Sequence, residues 1–201
     1  MKTVWMAFVI SYLLGSLSFS TIIGKYVYGI DIRRYGSGNA GATNTLRVLG
    51  AKPAAAVFLL DMLKGMLAVG VGWMLSGGDE AVAVFSGVFA VIGHNWPLFF
   101  RFRGGKGIAT TIGVVAVVAL PPAVVAGAVA LLAIAVTRYV SLGSLLFTGL
   151  LPVFVLLWYD SPSLLAGTVV IAVLAYWRHR QNIANLLQGR ERKLGERVKV
   201  G

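Results

Sequence analysis

An all-α, polytopic integral membrane protein with seven transmembrane helices, N-terminus outside and C-terminus cytoplasmic, is what this sequence predicts. Three observations point there: 58% of residues are hydrophobic and 12% charged, the apolar residues fall into long runs, and the basic residues cluster in alternate connections. An ordinary soluble domain carries about 25% charged residues. A chain this poor in charge cannot dress a water-facing surface. A bilayer core about 30 Å thick takes roughly 20 apolar residues per helix, so the 201-residue chain accommodates seven short spans in one domain, residues 1–201, with little left over.

Val4 to Gly24 follows a single Lys2, is too long for a signal-peptide core and lacks a small-x-small cleavage site, so it reads as the first span. Pro53 to Leu75 is the second. Ala81 to Phe100 follows the acidic Asp79-Glu80 pair and ends in the aromatic residues expected at an interface. Gly104 to Leu120 and Pro122 to Tyr139 are separated by Pro121-Pro122, taken as a turn rather than a kink. Leu142 to Trp158 and Ser161 to Trp177 complete the set, with Asp160 between them. Spans below 20 residues fit by local bilayer thinning.

Charge orders the connections. Lys25, Arg33, Arg34, Arg47 and Lys52 share one loop, Arg101, Arg103 and Lys106 another, and Arg138 lies in a third. The tail adds Arg178, Arg180, Arg190, Arg192, Lys193, Arg197 and Lys199, while only Lys2 lies on the opposite side, with Asp79, Glu80 and Asp160. By the positive-inside rule the basic side is cytoplasmic; the family resemblance described below implies a bacterial inner membrane. Merging Ile108 to Val136 into one helix would send the seven tail charges outward, which rejects six spans.

A net charge of +11 suits nucleic acid, an anionic membrane face or anionic substrates, and hydropathy makes nucleic acid the poorest fit. The absence of Cys excludes disulfides, thiolate metal sites and a Cys nucleophile. No metal ion or cofactor is expected.

The chemistry concentrates in the cytoplasmic loops. Tyr35 to Arg47 is rich in Gly, Asn and hydroxyls and ends in a guanidinium, a composition that holds an anion through converging N–H groups or serves as a solvated connector. Gly104-Gly105-Lys106-Gly107 precedes an apolar helix and suits a phosphate, but it is not a Walker A loop, which needs Gly at Phe100 and Ser or Thr at Gly107. Arg101 and Arg103 read as positive-inside anchors. His94 is a general base or a helix-end residue fixing the Pro97 turn. His179 opens a short amphipathic segment with Gly189 as its stop. Asp61 and Lys64, three residues apart inside a span, either neutralise each other or lend Lys64 to an anionic substrate. Ser141 and Ser144 cap the sixth span or donate to phosphate.

Three blocks resemble the bacterial membrane glycerol-3-phosphate acyltransferases that use acyl phosphate, the PlsY family. The first is Gly36-Ser37-Gly38-Asn39-Ala40-Gly41-Ala42-Thr43-Asn44 with Arg47, where Ala40 replaces a common Pro. The second is Gly93-His94-Asn95-Trp96-Pro97 followed by Phe102, Gly104-Gly105-Lys106-Gly107, Ala109 and Thr110. The third is His179-Arg180-Gln181-Asn182-Ile183 with Leu186, Gly189, Glu191 and Lys193, and the stretch Leu60 to Gly65 is also similar.

The resemblance implies transfer of an acyl group from acyl phosphate to the 1-hydroxyl of glycerol 3-phosphate, giving 1-acyl-glycerol 3-phosphate and inorganic phosphate, the first step of phospholipid synthesis. Its partners would be the two substrates, membrane lipid and a functional link to the soluble enzyme that supplies acyl phosphate. Catalytic roles are expected for Ser37, Asn39, Arg47, His94, His179 and Asn182. Substrate binding is expected from Gly38, Thr43, Asn44, Lys64, Gly104, Gly105, Lys106, Gly107, Thr110, Ser141, Ser144 and Glu191. The His-x4-Asp arrangement of another acyltransferase class is missing, since Phe99 and Ala184 stand five positions after the two histidines.

Overall fold

The computed structural model describes residues 1–196; Arg197 and Lys199 of the basic tail lie outside the described residues. Those residues form ten α-helices and two short 3-10 turns, without strands. Five stretches are long and apolar enough to cross a membrane: Lys2–Val27, Ala51–Ser76, Glu80–Phe100, Leu120–Thr137 and Val140–Trp158. Ile108–Val118 and Pro162–Arg178 are shorter apolar helices.

The expected first span is broken. Helix α1, Lys2–Gly15, and α2, Phe19–Tyr28, meet at Ser16-Leu17-Ser18. Close packing sets the geometry of the first half: a Cβ on Gly15 would sit 2.1 Å from Ala90 O, and one on Gly93 would sit 2.2 Å from Tyr12 O. Small residues that let backbones touch are the usual glue between membrane helices. The break frees the Leu17 carbonyl, which accepts from Lys64 Nζ at 2.8 Å.

The first basic loop contains an additional helix, α3, Ala42–Leu49, which runs almost directly into α4, Ala51–Ser76. Helix α5, Glu80–Asn95, is capped by Asp79 Oδ1, which accepts from Val82 N at 3.1 Å. It is the most enclosed span, with Val84, Val88 and Val91 in the core. Helices α6, Ile108–Val118, and α7, Leu120–Thr137, are separate, but the break falls at Ala119, ahead of the expected Pro121-Pro122 turn. The prolines instead occupy the first turn of α7, where their missing N–H groups cost nothing. Helices α8, Val140–Trp158, and α9, Pro162–Arg178, follow, and Ser161 Oγ caps α9 by accepting from Leu164 N at 3.1 Å. Helix α10, Arg180–Leu187, is the short amphipathic element, ended by Gly189 in the left-handed region at φ 66°.

Candidate active site

Three polypeptide segments converge at one end of the bundle. The segment between α2 and α3 is folded by its own side chains. Asp31 Oδ1 accepts from Arg33 N at 3.1 Å, and its carboxylate takes a bidentate pair from the Arg33 guanidinium at 2.9 and 2.8 Å. Arg33 Nη1 also donates to Phe100 O at 2.9 Å, joining the first loop to the second. Asn44 is buried and spent on this loop: its Oδ1 accepts from Ser37 N at 2.9 Å, and its Nδ2 donates to Ile32 O and Tyr35 O, each at 3.1 Å. Asn44 lines the groove, as expected of a substrate-binding residue, while its side-chain amide braces the loop. Its amide leaves the side chains of Ser37 and Asn39 turned to open space with Arg47, whose Nη2 reaches Arg192 O at 3.4 Å.

The second segment is shaped by close approach. A Cβ on Gly104 would lie 2.0 Å from His94 O, and one on Gly105 would lie 2.0 Å from His94 Nε2 and 2.6 Å from Ala40 O. Gly107 begins α6 at φ 81°. Arg178 ties the Gly105 carbonyl outward at 3.0 and 2.7 Å and reaches Gly104 O at 3.3 Å, while its guanidinium lies over the Trp96 ring. With those carbonyls held, the free N–H groups of the first turn of α6 and the Lys106 ammonium supply the positive end that favours an anion.

The third segment supplies the acceptors. Lys106 Nζ donates to Asn182 Oδ1, Asn182 Nδ2 donates to Glu191 Oε1 at 2.7 Å, and Ser141 Oγ donates to the same oxygen at 2.8 Å. Burial, opposed by Glu191, lowers the Lys106 pKa to about 8. His179 Nδ1 lies 2.8 Å from Ala175 O, which can only accept, so Nδ1 carries the proton and Nε2 presents a lone pair. Burial first, and then the Lys106 charge, lower the His179 pKa to about 4. This imidazole is neutral at physiological pH.

Two cavities meet here. A polar basin of about 1730 Å³ is ringed by cations from all three segments, among them Arg34, Arg103, Arg178 and Arg192. A groove of about 490 Å³ runs from the same point between α4, α6, α7 and α8, past Phe58, Ile112, Ala123, Leu131 and Phe147. Ser37, Asn39, Arg47, Lys106, Asn182 and Glu191 line both.

Most residues expected from the sequence are gathered at this junction: Gly38 and Gly104 line the basin, Thr43, Gly107, Ser144, His94 and His179 line the groove. Two are not. Lys64 is enclosed by Asp61, His94 and the Leu17 carbonyl, with its ammonium turned from both cavities. Thr110 is fully buried where α6 packs on α4, its carbonyl against Gly65, so it belongs to helix packing rather than to the substrate surface. Ser141 does not cap α8; it holds Glu191. Ser144 donates back to Val140 O at 2.9 Å while facing the groove. Sequence reasoning missed Asp31, Arg33 and Arg178 as organisers, because it counted the two arginines only as charges and passed over Asp31; their one signal was adjacency to the glycine-rich and histidine motifs.

Fold and site define a helical membrane protein in which an anion-binding basin opens onto an apolar groove. A family model for glycerol-3-phosphate acyltransferase matches residues 5–189. The chain is 53% identical over 202 residues to a glycerol-3-phosphate acyltransferase of Halalkalibacterium halodurans, covering 98% of each. It is 52% identical over 191 residues to that of Shouchella clausii, covering 92% of this chain and 93% of the relative. A crystal structure of PlsY, described as an integral membrane glycerol 3-phosphate acyltransferase in its glycerol 3-phosphate form, is similar at TM-score 0.90 and 41% identity over 96% of both chains. A lysophosphatidic acid form gives 0.88 and 39% over the same shares. The chain belongs to the PlsY family of glycerol-3-phosphate acyltransferases.

Proposed function

We propose that this protein transfers an acyl group from acyl phosphate to the 1-hydroxyl of glycerol 3-phosphate, releasing 1-acyl-glycerol 3-phosphate and inorganic phosphate. The observation that carries the reading is the shared lining of the two cavities: six polar residues stand where a cationic basin meets an apolar groove. A substrate with a phosphate at one end and an acyl chain at the other places its reacting carbonyl at that boundary.

Acyl phosphate is an activated mixed anhydride, so the site must chiefly orient the hydroxyl, exclude water and stabilise developing charge. Ser37, Asn39, Thr43 and Arg47, on the backbone bend that includes Gly38, hold the donor phosphate and carbonyl region. Gly104, Gly105, Lys106, Gly107 and the start of α6 hold the phosphate of glycerol 3-phosphate. His179 Nε2 accepts from the glycerol hydroxyl, and Asn182, braced by Glu191 and Ser141, completes its orientation. The C1 oxygen attacks the carbonyl carbon, the carbon–oxygen bond to phosphate breaks, and the hydroxyl proton passes to the departing phosphate. With a pKa of about 4, His179 is suited to accepting a hydrogen bond rather than to removing a proton at pH 7.

The five long apolar stretches and two shorter apolar helices support a single seven-span domain. Its N-terminus would lie outside, with its C-terminus and active site on the cytoplasmic face of a bacterial inner membrane. The groove opens toward membrane lipid, and the donor would come from a soluble enzyme working at that surface.

Purified protein in lipid, given glycerol 3-phosphate with palmitoyl phosphate or palmitoyl-CoA, tests the reading. Acylated product from the phosphate donor alone is expected. Product from the CoA donor would overturn the donor assignment, and accumulation of glycerol 3-phosphate in vesicles without product would indicate a transporter.

A further inference from the structure

Beneath the glycine loop lies a buried ionic cluster that the proposed reaction does not use. Lys64 Nζ stands 2.7 Å from Asp61 Oδ1, donates to Leu17 O at 2.8 Å, and lies 3.1 Å from His94 Nδ1. Asp61, Lys64 and His94 are 1%, 2% and 5% exposed. An ion pair at this depth is expensive and is retained where it does something specific. Here the geometry dictates the state of the imidazole.

An ammonium has three donors and no lone pair. The contact with His94 therefore runs in one direction, and Nδ1 accepts. A neutral imidazole that accepts at Nδ1 carries its proton on Nε2. A second proton on Nδ1 would face the ammonium head-on, and its nearest carboxylate oxygen, Asp61 Oδ1 at 3.6 Å, is already taken by Lys64 Nζ at 2.7 Å. That pairing holds Lys64 Nζ against the ring. Arg178, the remaining charge facing His94, is also a cation.

On the other side of the ring, Nε2 lies against Gly105, closely enough to exclude a Cβ there, and has no protein acceptor among the described residues. His94 lines the groove near its polar mouth. We infer that Asp61 and Lys64 lock His94 as the Nε2–H tautomer, making it a hydrogen-bond donor to an oxygen of the bound acyl phosphate rather than a base. The donor role rests on the acyl-phosphate reading above; the tautomer does not. The two histidines are then set oppositely: Ala175 makes His179 an acceptor at Nε2, and Lys64 makes His94 a donor there. Lys64, outside both cavities, and Asp61, at the groove wall, are positioning residues that act through His94.

The chain contains two histidines, so nitrogen-15 NMR of histidine-labelled protein in lipid at pH 7, without substrate, reads both tautomers. A His179→Asn sample assigns the spectrum. The expected pattern is a protonated Nε2 on His94 and a protonated Nδ1 on His179. A protonated Nδ1 on His94, alone or as imidazolium, overturns the lock. The Asp61→Asn, Lys64→Met double variant removes the ammonium without leaving a bare buried carboxylate, and should give His94 a mixture of tautomers; an unchanged pure Nε2–H signal would show that the pair does not set it.

Activity tests the donor role. The amide NH2 of Gln reaches about as far as Nε2, whereas that of Asn sits nearer the position of Nδ1. Loss of one preorganised donor costs on the order of 10²–10³-fold in kcat, so His94→Asn should fall about 10²-fold. His94→Gln should stay within about tenfold of the parent, with KM for glycerol 3-phosphate unchanged in both. Equal losses in the two variants would overturn the donor role. If the parent protein itself transfers nothing from acyl phosphate, the functional reading and the donor role fall together, while the NMR pattern still decides the tautomer lock.

Discussion

Gly105→Ala tests how tightly the two loops are built around each other. The added carbon would meet His94 Nε2 at 2.0 Å and Ala40 O at 2.6 Å, where ordinary van der Waals contact begins at 3.4 Å. One of the two loops must therefore retreat by roughly 1 Å or more, and a displacement of that size at a reacting centre can cost about 10²-fold in rate. The first neighbour is a ring held from behind by Lys64, and the second is backbone, so neither yields by a simple rotamer change. The assay is acyl transfer at saturating and limiting glycerol 3-phosphate, with Gly70→Ala as control, since nothing lies within 4 Å of a Cβ there. A loss of about 10²-fold in kcat/KM with unchanged helix content is expected. A folded Gly105→Ala protein within threefold of the parent would refute the reasoning that these glycines are set by contact across the loops.

Further outcomes follow from the same geometry. Lys106→Ala should raise KM for glycerol 3-phosphate by about 10–100-fold, the worth of one charge-assisted hydrogen bond, and a rise in the donor KM alone would exchange the two loop assignments. Because Lys106 is charged only below its pKa of about 8, affinity of the free enzyme for glycerol 3-phosphate should decline as pH rises through 8. Lys106→Arg should move that decline to higher pH, and its persistence unchanged would show that another group titrates. His179, with a pKa of about 4, is already neutral at pH 5.5, so the kcat profile should show no His179 limb between pH 5.5 and 7.5. Gly127→Phe, placed in the groove where nothing lies within 4 Å of a Cβ, should shift preference toward shorter acyl phosphates; a uniform loss for all chain lengths would mean that the chain lies elsewhere.

Hydropathy made the spans legible because a bilayer punishes every exposed polar group, and most expected boundaries fall within a few residues of α4, α5, α8 and α9. The break at Ser16–Ser18 was hidden, since its cause is packing of Gly15 and Gly93 between α1 and α5 and capture of Leu17 O by Lys64. No local pattern encodes such partners. For the site, composition pointed to Gly104–Gly107 and to Ser37, Asn39 and Arg47, but not to which polar groups are already satisfied. Asn44 has the right chemistry for a substrate ligand and spends it on three backbone groups. Lys64 likewise resembled an anion ligand, and its neighbours in space turned it inward.

Direct transfer between two substrates held side by side, as proposed above, passes through no acyl-enzyme. Rapid-quench measurement of phosphate release from palmitoyl phosphate, with and without glycerol 3-phosphate, tests it most directly. No phosphate burst is expected without the acceptor, and, with it, phosphate and 1-acyl-glycerol 3-phosphate should appear together one for one. A burst stoichiometric with enzyme in the absence of glycerol 3-phosphate would contradict it, because the acyl group would then have been handed first to the protein.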